Sequence, residues 1–388
     1  MKKEIFGVNA NIILLGIVSF LTDVSSEMIF SVFSIFFTVI LGASVLILGI
    51  VEGLADFSSS SLDYLSGFLA DKTGKNKALA IAGYGFSTLS KIIIAFKSNI
   101  VIAIGFRIVE RLGKSFRGPP RDSWIASLTN KENRGYSFGV HKALDKAGAV
   151  IGPLIAFFLI SWLGQSSSTF RVIFLVAAVP AVLAVVVALL IKQDKTVKIK
   201  HQSMFRGVKD LGSGLKHYIY SASIFSLAYF SFSFLLLKAY ASGFNIQDVV
   251  LLYAIFNLSF VLVSIPIGKI GDKIGRDKLI AAEYVIYFIM SIGFVIFSSK
   301  AAIIALFIVF GIFYAIDEAQ SKAYISDLEV KKRGTAIGLY NFVTGIIYLP
   351  ASAIAGYLWS INMNYAFIFA ALVSLVALAF FVSRKDKN

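Results

Sequence analysis

The sequence has no cysteine, only 3 histidines and 6 prolines, and charged residues make up just 15% of its 388 residues. Without cysteine the chain forms no disulfides and no thiolate metal site. Cysteine usage therefore does not indicate whether the protein lies in an oxidising or a reducing compartment. The histidines show no metal-ligand spacing, and neither a nucleophile cluster nor a phosphate-binding nucleotide loop is present. These absences argue against a membrane enzyme and an ATP-driven pump, so we predict no enzymatic activity, no metal and no cofactor.

Apolar residues dominate what is present. Hydrophobic residues make up 57% of the chain, and the mean hydropathy is +0.81. A soluble domain could not bury that much apolar surface, and a soluble chain of this length would normally divide into domains joined by polar linkers. The apolar stretches are instead as long as membrane-spanning helices and recur throughout, so we predict that the lipid bilayer surrounds them.

A short basic segment occurs twice in the chain. The sequence GFLADKTGKNK at 67–77 returns as GKIGDKIGRDK at 268–278, with Gly, Asp, Lys, Gly, a basic residue and Lys in register. A second motif, an Arg-Gly pair followed by a glycine, begins at Arg134 and again at Arg333, at nearly the same offset. Two motifs that repeat in this way indicate one unit built twice.

The repeated segment resembles the signature G-x-x-x-D-(R/K)-x-G-(R/K)-(R/K) that the major facilitator superfamily carries between its second and third helices. Both halves carry it in the expected place, so the resemblance covers the whole chain. It implies an all-α membrane protein with twelve transmembrane helices in two six-helix, pseudo-symmetric bundles that work by alternating access. It also implies a gating motif formed by Gly67, Asp71, Lys72, Gly74, Lys75, Gly268, Asp272, Lys273, Gly275 and Arg276.

The two aspartates of this gating motif have an expected role. A carboxylate stabilises a helix N-terminus, because the unpaired N–H groups there carry partial positive charge. By analogy with the family, Asp71 faces the helix that begins at Arg333 and Asp272 faces the helix that begins at Arg134. Such contacts would hold an outward-open state, while the neighbouring lysines also suit anionic lipid headgroups.

Hydropathy predicts twelve membrane-spanning helices, six before the basic linker and six after it. The spans lie at roughly 11–43, 45–70, 77–96, 99–128, 134–163, 170–191, 217–242, 246–271, 277–298, 301–327, 333–360 and 364–383. We therefore predict an N-terminal six-helix bundle at 1–195, a basic cytoplasmic linker at 196–215 and a C-terminal six-helix bundle at 216–388.

Lysine and arginine are distributed unevenly between the two sets of loops. They concentrate on the side that holds both termini and the linker, and the opposite loops offer little beyond Lys97, Arg171, Lys238 and Lys300. The positive-inside rule then places both termini in the cytoplasm and the chain in the cell membrane. Because this asymmetry accounts for the net charge of +15, we predict no nucleic-acid partner.

Ionisable residues inside spans are costly and usually face the bundle interior or a water-filled cavity. They concentrate in the first half, where residues four apart share one helix face. The pairs are Asp23 with Glu27, Glu52 with Asp56 and His141 with Asp145, and a basic stripe beside Glu110 includes Arg107, Arg111, Lys114 and Arg121. Lys91 is expected to extend toward the membrane surface.

The second half contains fewer charges within its spans. Its main ionisable residues there are Glu283, Asp317, Glu318 and Lys322. The imbalance suggests that ion coupling belongs to the first half. We predict that the second half adds aromatic and polar substrate contacts, including Tyr314, Tyr340 and Asn341.

The helical rise of about 1.5 Å per residue places several of these charges near the middle of the bilayer. Asp23 and Asp145 lie roughly 20 and 16 Å from the cytoplasmic ends of their helices, and Arg111 lies roughly 18 Å from an outer end. We therefore predict that Asp23 and Glu27 exchange a driving proton, with Arg107 and Arg111 as countercharges. Purely structural ion pairs are the alternative, and His141 with Asp145 is the next candidate pair.

Two further segments resemble family motifs. In the fourth span, Arg107 and Gly113 match R-x-x-Q-G-x-G, while Glu110 replaces the Gln and Arg111 replaces the first Gly. In relatives this arginine is associated with proton coupling. The fifth span contains a G-x-x-x-G-P sequence from Gly148 that resembles the antiporter motif of drug exporters, although ordinary small-residue packing would explain it equally.

We predict a monomeric secondary transporter of a small organic solute, with protons as the coupling ion and export as the direction. The basic stripe supports an alternative, a proton- or anion-coupled importer of an anionic metabolite. A lipid or amphiphile flippase is a second alternative, because the same architecture could serve it.

The predicted topology can be tested with single cysteines, because the chain has none of its own. Cysteines at Ser203 and Ser298 should react with a membrane-impermeant maleimide from opposite sides of the membrane, and permeabilised cells should label both. Labelling of both sites from outside intact cells would contradict the assignment.

Overall fold

Helices make up almost the whole computed structural model, which describes residues 4–5, 8–129, 133–191, 211–329 and 333–383. Within these ranges the side chains at 4, 5, 61, 64, 71, 134 and 333–335 lie outside the described part. Most of the predicted linker, up to residue 210, also lies outside it.

The elements follow one another along the chain with short connections. A two-stranded antiparallel pair, β1 (Glu4–Ile5) and β2 (Val8–Asn9), precedes the first helix. The helices are α1 (Ala10–Ile35, extended by a π-helix at Phe36–Ile40), α2 (Val45–Thr73), α3 (Asn76–Phe96), α4 (Ile100–Ser127), α5 (Arg134–Leu163), α6 (Ser167–Leu190), α7 (Ser213–Ala228), α8 (Ser233–Ala241), α9 (Ile246–Ile274), α10 (Arg276–Ile296), α11 (Lys300–Leu328), α12 (Arg333–Ile361) and α13 (Met363–Val382).

Eleven helical segments in the described ranges are long and apolar enough to cross a membrane. One of them, Ser213–Ala241, combines α7 and α8 into a single interrupted span. The helix α4 is also long enough to cross a membrane, but its arginines and its lysine exclude it from these eleven apolar segments. With α4 included, the described ranges contain the twelve spans that the sequence predicts, and the all-α membrane fold is confirmed.

Local sequence explains where several helices begin and turn. The side chains of Asn99, Ser166 and Ser299 accept hydrogen bonds from backbone N–H groups in the first turns of α4, α6 and α11. Such caps satisfy N–H groups that have no partner within the helix. Gly74 and Gly275, which follow the ends of α2 and α9 within the two copies of the repeated segment, have φ values of 66° and 100°, a conformation that favours glycine.

The chain divides into two compact units that do not coincide with its two halves. The first unit comprises Met1–Gly42, Ser58–His201 and Ile246–Ala254. The second comprises Ala43–Phe57, Gln202–Asn245 and Ile255–Asn388. The beginning of α2 therefore belongs to the second unit, and the beginning of α9 belongs to the first.

Close helix contacts organise the interior of the first unit. The helix α1 packs along α5 and α6, and α3 packs along α4 and α6. Where α3 meets α4, a Cβ added to Gly83 would lie 2.6 Å from the Gly113 carbonyl oxygen, and one added to Gly113 would lie 2.7 Å from the Gly83 oxygen. Two facing glycines thus let the backbones approach closely, as is common between membrane helices.

In the second unit, α13 packs against α7, α10 and α12, and α10 packs against α11. The seventh span is interrupted between α7 and α8, at 229–232. The Tyr287 hydroxyl donates a 2.9 Å hydrogen bond to the Ala228 carbonyl oxygen at this interruption. The Ser231 hydroxyl accepts a 3.3 Å hydrogen bond from the Ser233 N–H, so side chains replace part of the lost helical bonding.

The α3–α4 contact predicts a large effect for a very small substitution. Gly113→Ala should destabilise the purified protein by roughly 1–3 kcal/mol, because the added methyl group would overlap backbone atoms of α3. Gly105→Ala on the same helix is the control, since its Cβ would meet nothing within 4 Å. Thermal unfolding in detergent measures both, and equal unfolding midpoints would contradict this packing role.

Candidate functional site

A buried polar network joins α1, α3 and α4 in the first unit. The Lys91 Nζ donates a 2.9 Å hydrogen bond to the Ser26 Oγ, and the Ser26 hydroxyl donates a 3.3 Å bond to the Glu110 Oε1. Lys91 and Glu110 are both 0% exposed. The expectation that Lys91 extends toward the membrane surface is therefore wrong, because an internal acid and hydroxyl provide the partners that a buried ammonium needs.

Arg107 and Arg111 lie beside this network on α4. The Arg107 guanidinium is 3.9 Å from the Glu110 Oε2. It also lies 4.3 Å from the centre of the Phe30 ring, and the Arg111 guanidinium lies 5.5 Å from the same ring. Both arginines thus use the face of an α1 aromatic ring as a cation–π partner.

Two glycines of α5 fix the position of Asp23 and Glu27. A Cβ added to Gly148 would clash with the Phe20 carbonyl oxygen and lie 3.1 Å from the Asp23 Cβ. A Cβ added to Gly152 would lie 2.6 Å from the Val24 carbonyl oxygen and 3.1 Å from the Glu27 Cβ. The G-x-x-x-G segment therefore packs α5 directly against the acidic face of α1.

Asp23 and Glu27 have different surroundings. The strongest electrostatic neighbours of Asp23 are two acids, Asp145 and Glu27, followed by Lys114 and Lys146. Glu27 accepts a short hydrogen bond from the hydroxyl of Tyr253, at the beginning of α9. The first unit thus gathers three carboxylates from α1 and α5 within range of two lysines, and both α1 acids are half-buried.

His141 and Asp145 meet Arg121 near Ser19. The His141 Nε2 and the Arg121 Nη1 lie 2.9 and 3.2 Å from the Ser19 Oγ. Asp145 lies 3.8 Å from Arg121 and 3.8 Å from Lys142. His141 is buried, and in the described part of the chain no group of three or more His, Asp or Glu residues is arranged to hold a metal ion.

Glu52 and Asp56 belong to the second unit, together with the beginning of α2. Glu52 is 0% exposed and accepts a 3.0 Å hydrogen bond from the Ser231 hydroxyl at the interruption of the seventh span. Next to it, a Cβ added to Gly53 would lie 2.8 Å from the Leu349 carbonyl oxygen on α12. Asp56 is half-buried and within electrostatic range of Tyr348.

The second copy of the gating motif contains a chain of ion pairs within the second unit. Arg276 lies 2.7 Å from Asp272 and 2.7 Å from Asp327, so it connects the ends of α9 and α11 at the start of α10. In this copy Gly268 is half-buried and Lys273 is exposed.

In the first copy, Lys72 and Lys75 are exposed, and a Cβ added to Gly67 would lie 3.4 Å from Pro119. The side chain of Asp71 lies outside the described part of the structure, as does that of Arg134.

The sequence alone places one residue of this site wrongly, Lys91, and does not single out two others, Ser26 and Tyr253. The signal for Lys91 was present, because an ionisable residue within an apolar span normally has a functional or structural partner inside the protein. Ser26 and Tyr253 are common residue types in membrane helices. Only the packing of helices distant in sequence shows that they contact Glu110 and Glu27.

The Lys91–Ser26–Glu110 network predicts strong coupling between its two charged ends. Lys91→Met should destabilise the protein by about 1.5–3 kcal/mol, because it removes a buried charged hydrogen-bond donor and leaves Glu110 with the Arg107 guanidinium as its nearby cation. Lys91→Met combined with Glu110→Gln should recover much of that loss, and Lys97→Met at an exposed position is the control. Thermal unfolding in detergent measures these three variants and the single variant Glu110→Gln, and strictly additive losses would contradict the coupling.

Comparison with known proteins agrees with this architecture. The sequence profile of the Major Facilitator Superfamily matches residues 15–316 and 221–388. The chain is 36% identical over 375 residues to an uncharacterized MFS-type transporter of Methanocaldococcus jannaschii, a match that covers 95% of this chain and 93% of the relative.

More distant relatives extend the comparison. The chain is 23% identical to Multidrug resistance protein 2 of Bacillus subtilis, over 83% of this chain and 82% of that protein. The crystal structure of the nucleoside transporter NupG aligns with a TM-score of 0.78 at 15% identity, over 97% of this chain and 100% of NupG. The fold, the repeated signature and these matches show that the chain belongs to the major facilitator superfamily and is a multi-pass membrane transporter.

Proposed function

We propose that this transporter is a proton-coupled exporter of a small organic compound, and that Asp23 and Glu27 carry the proton. The observation that supports this role most directly is the gathering of Asp23, Glu27 and Asp145 in the interior of the first unit, beside Lys114 and Lys146. Like charges at close range disfavour simultaneous ionisation, whereas a nearby ammonium favours it.

This arrangement suits a group that must bind and release a proton during one cycle. Closer approach of Lys114 and Lys146 to Asp23 shifts the balance toward the carboxylate form. When helix movements increase that separation, the two neighbouring acids favour the protonated form. Glu27 has a hydroxyl partner in Tyr253 that can donate to its ionised form. Asp23 is therefore the acid more sensitive to rearrangement of its charged neighbours.

The direction of transport is inferred from the relatives. Besides the Bacillus subtilis protein, a multidrug resistance efflux pump homolog of Lactococcus lactis is 25% identical over 75% of this chain. Their names favour export of organic compounds. The second candidate function is import of an anionic metabolite. It is favoured by three basic residues of α4 that could attract a carboxylate or phosphate group, namely Arg107, Arg111 and the exposed Lys114.

We also propose that the chain acts as a monomer in the cell membrane, with both termini in the cytoplasm. The excess of lysine and arginine in one set of loops supports this orientation. On this basis both copies of the gating motif face the cytoplasm. The ion pairs of Arg276 with Asp272 and Asp327 then belong to the mechanism that controls opening on that side.

Proteoliposomes with an imposed pH gradient test the proton role. The wild-type protein should accumulate solute from a panel of ethidium, uridine and lactate, and its transport should change the fluorescence of enclosed pyranine. Asp23→Asn or Glu27→Gln should abolish accumulation driven by the gradient but leave exchange of labelled for unlabelled solute intact, because exchange requires no net proton movement.

Glu329→Gln, which removes an acid at the end of α11, is the control and should transport normally. If both α1 variants keep full accumulation, the proton binds elsewhere. If accumulation and exchange fall together with thermal stability, the two acids serve the structure only. Lactate uptake driven by the gradient, with no movement of ethidium, would favour the importer.

A further inference from the structure

Another buried acid, Glu283, lies far along the chain from Asp23, on α10 in the second unit. Glu283 is 2% exposed, and its Oε2 has no hydrogen-bond partner among the described residues. Burial of an ionisable group inside a membrane span is expensive, and such groups mark pathways or binding sites for ions and substrates. The described residues therefore leave this oxygen free to bind a partner from outside the chain.

Asp317 on α11 faces the same region. It lies within electrostatic range of Glu283 and accepts a 3.2 Å hydrogen bond from the Ser321 hydroxyl. The other charged groups that act on Asp317 are Glu318 and Lys322. Acids thus outnumber bases among the groups that act on Asp317 and Glu283. Asp317 is half-buried whereas Glu283 is fully buried, so Asp317 is the more accessible of the two carboxylates.

Tyrosines from two parts of the second unit, α7 with its end and α12, surround these two acids. Tyr218 on α7 and Tyr340 on α12 have stacked rings 5.8 Å apart, and both interact with Glu283. The Ser321 hydroxyl that bonds Asp317 also lies near both of these tyrosines.

A second pair of tyrosine rings lies near Asp317. Tyr229, at the end of α7, and Tyr348, on α12, have ring centres 5.6 Å apart and both interact with Asp317. Four aromatic rings thus lie around a site with negative charge.

The combination of carboxylates and aromatic faces selects one class of ligand. Hard metal ions prefer six or more oxygen ligands at short distances, whereas ring faces attract diffuse organic cations. An anionic solute would be repelled by the excess of acids. The half-buried rings of Tyr229, Tyr340 and Tyr348 also offer the apolar contact area that a hydrophobic cation needs.

We propose that Asp317 and Glu283, with Tyr218, Tyr229, Tyr340 and Tyr348, form a binding site for a hydrophobic organic cation in the second unit. Asp317 contacts the cationic group, and Glu283 supplies a second carboxyl group behind it, which ionises when the cation binds. This proposal rests on the proposed function as an exporter of organic compounds, and it specifies the charge of the exported compound.

Equilibrium binding tests the site without any ion gradient. Tritiated tetraphenylphosphonium should bind the purified full-length protein in a scintillation proximity assay, and tetraphenylborate, which has the same shape and the opposite charge, should not compete. Asp317→Asn and Glu283→Gln should each lower the affinity for tetraphenylphosphonium at least about tenfold, because each removes a charge that faces the cation in a desolvated site.

Two comparisons separate loss of the site from loss of the fold. Tyr340→Phe should keep the affinity and Tyr340→Ala should lower it, because only the ring face is required. Glu329→Gln, at the end of α11, removes an acid outside the site and should bind like the wild type.

Failure to bind tetraphenylphosphonium, equal binding by wild type and Asp317→Asn, or equal binding of the borate would each refute this site. Those results would leave proton-coupled export of another solute standing. Binding that depends on Asp317 in a protein that exports nothing from proteoliposomes would instead refute the proposed export and leave the site standing.

Discussion

A charge placed inside an apolar span needs a partner from another helix, and this requirement shapes the interior of the first unit. Lys91 reaches Glu110 through Ser26, so α1, α3 and α4 are held in one register by a single chain of polar groups. Arg121 connects α4 to α1 and α5 through Ser19 and Asp145. Because unpaired charges are far more costly in lipid than in water, each of these contacts restricts how the helices can slide.

Much of the fold could be predicted from the sequence, because lipid enforces long apolar helices and the repeated motif reveals the duplication. The predicted spans match the observed helices to within a few residues over most of the chain. The interruption at 229–232 was not predicted. Its residues, Tyr229 to Phe232, include no proline or glycine, and it depends on contacts with Tyr287 and Glu52 that are distant in sequence.

The candidate sites were partly predictable for a different reason. Helical periodicity shows that Asp23 and Glu27 share a face, but it cannot show which helix meets that face. The close approach of α5 depends on Gly148 and Gly152, and only the structure shows that these glycines lie opposite the two acids. The sequence also suggested that charge in the second half is minor. Its few acids are instead concentrated among tyrosines, which a count of charges does not reveal.

The interruption of the seventh span has a mechanical consequence. It divides the span into stiff segments of 16 and 9 residues joined by a four-residue connection. A continuous helix resists bending because many backbone hydrogen bonds must lengthen together. The four-residue connection lacks this continuous series of helical hydrogen bonds. The shorter segment can therefore change its tilt without deforming the longer one. Bending of the span is thus expected at the connection, where Ser231 contacts the Glu52 carboxylate.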